Sequence, residues 1–170
     1  ILFLSHRPGV KNSTSLECPV PPAVLEDTAV PGAGKGKAFR IVTDLPVLAT
    51  QFNPIGGSSG HTTDASLLLP THTLSDNYIH AAWSQGHGNG TSMNIVATAD
   101  NTVVTITPSV NTPAGANGLP AMQADQPTDI TVNRYDIIQV TAGLNGPDLT
   151  GSRISSTAPI AVFGGHTCAD

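Results

Sequence analysis

The residues of this chain with the most obvious chemical reach are its histidines. His61, His72, His80, His87 and His166 stand among the aspartates Asp64 and Asp76, a set that invites a metal site. A zinc site wants a close pair, two histidines at i and i+4 on a helix or at i and i+2 on a strand, and no pair here has either spacing. His80 alternates with apolar Ile79 and Ala81 and reads as a strand residue, while His87 sits in the loop Gly86-His-Gly-Asn-Gly90. The expected metal complement is none. Calcium is the one cation whose hard oxygen ligands the sequence supplies, in Asp100, Asn101, Asp125, Asp129 and Asp148. Turn chemistry accounts for Asp100-Asn101 without it.

A hydrolase needs a nucleophile, a base and an orienting acid within reach of one another. Gly56-Gly57-Ser58-Ser59-Gly60 has the letters of a nucleophile elbow, but a polar loop follows it where a helix should begin. Gly32-Ala-Gly-Lys-Gly36 lacks the spacing of a phosphate loop and precedes a strand. No catalytic residue is assigned. The competing enzymatic reading is a secreted hydrolase drawing on His61, His80 or His166 and an aspartate. Asn12-Ser-Thr14 and Asn89-Gly-Thr91 match the glycosylation sequon.

The elements that would position these residues are strands. Of 170 residues only 11% are charged, 39% are hydrophobic and 20 are threonine. That composition is foreign to disordered chains and to helical bundles alike. A net charge of −5 gives no basic footprint for nucleic acid or an anionic membrane. Residues 1–37 are rich in Pro and Gly and read as extended, turn-broken chain; 38–170 read as a β domain. Short Val-, Ile- and Thr-rich runs bounded by Pro, Gly, Asn or Asp predict strands at 38–43, 46–52, 66–70, 78–83, 93–99, 102–107, 129–133, 136–141, 152–156 and 159–164. The fold class is therefore all-β: short antiparallel strands in a sandwich or in propeller-like blades, with little helix.

Within it, Asp100-Asn101 reads as a two-residue hairpin turn setting Ile95 opposite Ile106 and Ala97 opposite Val104, all four buried on one face. Thr98, Thr105 and Thr107 fall on the other face with Val96 and Val103. An internal echo aligns residues 39–52 with 152–165 without gaps, and each copy reads as a strand, a turn with Pro near its exit, and a second strand. Loops 53–64, 84–92 and 111–127 are long and polar, the kind that carries recognition on a rigid scaffold. Trp83, the sole tryptophan, either fills the core or joins Tyr78 as an apolar platform for a sugar ring or a side chain.

Several blocks in order, Lys37-Ala-Phe-Arg-Ile-Val-Thr-Asp-Leu-Pro-Val47, Ala65-Ser-Leu-Leu-Leu-Pro70 with Tyr78, Ile95 to Pro108, and Asp148-Leu-Thr-Gly-Ser-Arg-Ile154 on to Cys168, resemble the IgG Fc-binding protein N-terminal domain family over about residues 37–170. The family occurs in a mucus glycoprotein of animals and in exported bacterial proteins, and the spelling here resembles the bacterial, exported type. The resemblance implies a secreted or cell-surface, non-enzymatic β-rich module for binding or adhesion, without a cofactor. The expected partner is an extracellular glycan or glycoprotein. An alternative is a purely structural repeat packed on neighbouring domains of a larger secreted protein. The family pattern runs on beyond Asp170 to another cysteine, which the resemblance makes the expected partner of Cys168. A Cys18–Cys168 bond would close nearly the whole chain and add about 4–5 kcal/mol in the loop-entropy model. Non-reducing peptide mapping is expected to find no Cys18–Cys168 crosslink.

Overall fold

In a computed structural model of the protein, residues 4, 23–25, 28–53, 64–83, 90–143 and 148–166 are described. Cys18, Ser58, Ser59, His61, His87, Cys168 and both sequon asparagines lie outside the described residues. The strands are β1 (Gly34–Lys37), β2 (Ala49–Asn53), β3 (Asp64–Leu68), β4 (Ser75–Ile79), β5 (Thr91–Ala97), β6 (Thr102–Thr107), β7 (Thr128–Val132), β8 (Asp136–Thr141) and β9 (Arg153–His166). A single 3-10 turn at Thr71–Thr73 is the only helical element among the described residues. The chain divides into two compact units, Ile1–Ala29 with Ile41–Leu68 and Val30–Arg40 with Leu69–Asp170. In the first, β2 and β3 form an antiparallel pair, Ala49 opposite Leu68 and Phe52 opposite Ala65. In the second, the other seven strands form one antiparallel sheet that curls into a half-barrel.

The apolar pattern of residues 91–107 is realised as predicted. Ile95, Ala97, Val104 and Ile106 are all buried on one face, and Thr105 and Thr107 point the other way. The pairing, however, is not a hairpin. Ile160 pairs with Ala97 on one edge and Ser75 on the other; Ile154 pairs with Ile106 and Tyr78. Strands β5 and β6 therefore lie end to end along one edge of β9, and β4 takes the opposite edge. Beyond them β8 continues from β5 and β7 from β6.

Two long ribbons result, β5–β6 and β7–β8, each broken once, and the breaks stack beside the continuous β9 into a corner. There the Asp100 carboxylate accepts the Arg134 N–H at 3.0 Å, the Asn133 side-chain Oδ1 accepts the Asn101 N–H at 3.1 Å, and the Ala97 backbone carbonyl accepts the Tyr135 N–H at 2.9 Å. On the β9 side, Thr98 donates to the Pro159 carbonyl, and the Thr157 hydroxyl accepts the Val103 N–H at 2.9 Å. Asn101 (φ 54°) and Tyr135 (φ 68°) take left-handed backbone there. Asp100-Asn101 thus supplies the short polar side chains a turn requires, but the chain bends and continues along β9 instead of reversing.

Other expectations are corrected for related reasons. Residues 152–156 and 159–164 form one strand of 14 residues, with Pro159 at an irregularity where its missing N–H removes nothing from the ladder. The echo between 39–52 and 152–165 is therefore one of sequence only, since 39–48 carry no strand. The predicted strand 38–43 leaves Phe39, Ile41 and Val42 exposed. The ladder is made instead by Gly34-Lys-Gly-Lys37 against β8. Glycine is required there: a Cβ on Gly36 would stand 2.5 Å from the Val30 side chain. Predicted strands 66–70 and 78–83 appear two or three residues earlier, as β3 and β4. Loop 111–127 is a closed cap, bridged at Thr112–Met122 and Gly115–Leu119, that buries Leu119 and Met122 in the core.

Two expectations about stability follow. Ile106→Ala should cost about 2–5 kcal/mol, as a cavity in a packed core does. Asp100→Ala and Asn133→Ala should each cost about 1 kcal/mol, and the double variant less than their sum, because both act on one corner. Urea unfolding of the four proteins measures all of this.

Candidate functional site

On the outward side of the sheet, β4, β9 and β6 carry two rows of side chains. Asn77, Ser155 and Thr105 lie in register across the three strands, as do Ile79, Arg153 and Thr107. Strands about 4.8 Å apart, with like-facing residues about 6.5 Å apart along each, spread these six side chains over roughly 10 by 6.5 Å. They line an open depression of about 520 Å³, with Tyr78 and Ile154 in its lining.

Tyr78 is fixed by both ends. Its ring packs on the core, and its hydroxyl donates to the Ile160 carbonyl and accepts the Ser75 N–H, both at 2.8 Å. It thereby spans the point where β4 shifts register between Ser75 and Asn77. Beyond Ile79 the exposure alternates. His80 is buried and Ala82 packs on the core, whereas Ile79 (77% exposed), Ala81 and Trp83 (57% exposed) face solvent. Trp83 is therefore not a core residue. The strap carrying it is tied down at both groups of Ala82, whose N–H donates to the Thr150 hydroxyl (3.0 Å) and whose carbonyl accepts from it (3.2 Å). Two aromatic residues were legible as candidates in the sequence. Arg153, Asn77, Ser155 and Thr107 were not, because only the strand register brings them together; the polar alternation at Thr105 and Thr107 was the one available signal.

The described histidines and aspartates do not assemble. His72 is exposed in the 3-10 turn, Asp76 accepts from the Asn77 amide at 2.7 Å, and Asp64 belongs to β3 in the other unit. Among the described residues, no three His, Cys, Asp or Glu side chains are grouped so as to hold a metal ion. The calcium candidates are dispersed. Asp100 serves the corner, Asp125 donates its N–H to the Pro108 carbonyl, Asp129 accepts from Thr105 at 2.7 Å, and Asp148 accepts the Thr150 N–H at 2.7 Å.

A family model described as IgGFc binding protein matches residues 64–170, more than half of the chain. The chain belongs to the IgGFc binding protein family. The match takes in β3 to β9 and with them every residue of the depression, as well as Trp83. No curated protein and no solved structure matches the chain. The family is one of binding domains, typically extracellular, and is not known as enzymatic. No helix among the described residues is long and apolar enough to cross a membrane.

His80 is the buried titratable group beneath this face. Its Nε2 has no hydrogen-bond partner, and burial pushes its pKa below the ordinary 6.5, against the opposing pull of Asp148 and a hydrogen bond to the Ser92 backbone. A histidine whose folded pKa is depressed leaves the unfolded chain binding more protons as the pH falls below 6.5, so stability drops in that window. Thermal melts should show Tm constant above neutrality and falling below about pH 6.5, with the fall reduced in His80→Gln.

Proposed function

We propose that this chain is an extracellular binding and adhesion module, and that the outward face of β4, β9 and β6 holds a glycan or glycoprotein with Trp83 as its apolar contact. The carrying observation is the exposure of Trp83, 57% open to solvent on a strap pinned to the scaffold. A large aromatic ring left in water on a fixed backbone is unused apolar area, and indole faces stack well on the C–H side of sugar rings and on apolar side chains. Polar groups at strand spacing on the outward face of β4, β9 and β6 supply hydrogen bonds that orient such a ligand. The family's description names a protein, IgGFc, as what its members bind, and a glycoprotein partner lies within the same class.

A second reading is favoured by a different observation. In the smaller unit, Phe52 and Leu67 of the β2–β3 pair and Leu48 just before it are exposed, apolar surface suited to packing on a neighbouring domain of a longer chain. The two readings are separated by a glycan and mucin array probed with the isolated protein and with Trp83→Ala. Recognition predicts discrete binding that falls about tenfold or more in the variant, at a stability within about 0.5 kcal/mol of the parent because the side chain is exposed. Absence of binding to every glycan and mucin would leave the architectural role ahead.

A further inference from the structure

The depression is chemically asymmetric in a way the composition does not anticipate. The chain has 12 acidic residues against 7 basic ones, yet the lining holds one guanidinium and no carboxylate. The two aspartates on strands bordering it are already engaged, Asp129 by the Thr105 hydroxyl and Asp76 by the Asn77 amide. Arg153, by contrast, has no ion pair and no side-chain hydrogen bond among the described residues, unlike Lys37, which is paired with Asp136, and Arg40, which stands over the Tyr135 ring. Its neighbours in the grid are the hydroxyls of Thr107 and Ser155, likewise without a protein partner among the described residues, and the exposed aliphatic side chain of Ile79.

We infer that this depression is an anionic-saccharide site, in which Arg153 pairs with a carboxylate or sulfate on a sugar. The inference rests on the glycan reading above and narrows it to acidic sugars. A guanidinium presents two parallel N–H donors in a fixed plane, which match two oxygens of a carboxylate or sulfate; a neutral hydroxyl takes only one of them. Ser155, Thr107 and the Asn77 amide lie within one strand spacing of Arg153 or its row, at the scale of a sugar ring, and hydrogen-bond ring hydroxyls. Ile79 covers the apolar side of the ring. Because the site is open to solvent, the ion pair is screened by salt, so its contribution is one of selection more than of raw affinity.

The test is titration of the isolated protein with sialyllactose, a sulfated lactose and lactose itself, followed by NMR shifts, at low and physiological salt. At least one anionic sugar is expected to bind about tenfold more tightly than lactose, with the gap narrowing as salt rises. Which of the two it is identifies the anion. Arg153→Gln should close the gap by weakening the anionic sugar far more than lactose, and Arg153→Lys should restore only part of it. The residue is exposed, and a circular dichroism spectrum like the parent's shows that the variants are folded. Equal binding of charged and neutral sugars, or a gap that survives in Arg153→Gln, overturns the acidic specificity while leaving the glycan reading intact. A gap lost in Arg153→Gln but kept in Trp83→Ala supports the anionic site and removes Trp83 from it. Failure of all three sugars to bind overturns the anionic site, and the array decides the broader reading separately.

Discussion

The backbone ladder of β9 carries the larger unit. A strand within a sheet can bond on two edges, and β9 does so at both ends of its kink: Ile154 lies between Ile106 and Tyr78, Ile160 between Ala97 and Ser75. Every other strand of the sheet reaches it directly or through one neighbour, except β1, which reaches it through two. So long a strand stays bonded across a curling sheet only if its neighbours bend where it bends. The corner meets that demand, with short polar side chains at Asp100, Asn133, Thr98 and Thr157 taking up backbone groups that the broken ladder would otherwise strand.

The same alternation that builds the core builds the candidate site. On one side of β9, Ile154 and Ile160 close the interior; on the other, Arg153 and Ser155 face out between Thr107 and Thr105. A register slip by one residue would carry arginine into the core and isoleucine into water, so burial fixes the outer grid as firmly as the inner packing. Tyr78 joins the two sides, its ring packed on the core and its hydroxyl holding the bulge beneath Asn77. The unpartnered Nε2 of His80 shows what this economy costs on the inner face: a polar group is enclosed where the strap must cross to bring Trp83 outward.

How far this could be read in advance depended on the range of the interaction involved. Burial of Ile95, Ala97, Val104 and Ile106 follows from period-two alternation, which is local, and it was legible. Their partners were not, because Asp100-Asn101 has the same chemistry whether the chain reverses or only turns a corner, and what decides between them is β9, about fifty residues later. Gly34-Lys-Gly-Lys37 reads as extended, turn-broken chain because its fitness for a ladder lies in the closeness of Val30 and Ile137, which composition does not record. Leu119 and Met122 were hidden in a segment whose glycines, prolines and asparagines signal a loop, correctly, but say nothing of what it covers. In the site, the aromatic residues announced themselves by type, and Arg153 acquired meaning only from the strands beside it.

The order of strands along the chain also governs when this sheet can form. Tyr78 and Ile160 are bonded across a separation of 82 residues, and β4, β5 and β6 all precede the strand that joins them. Until β9 emerges, the apolar faces of β5 and β6 have each other as continuation but not as neighbour, and three strand edges stand open. Chains dominated by such distant pairings fold slowly and spend that interval exposed to association with one another. For this protein the vulnerable period ends late, with a segment that closes the sheet from its middle outward.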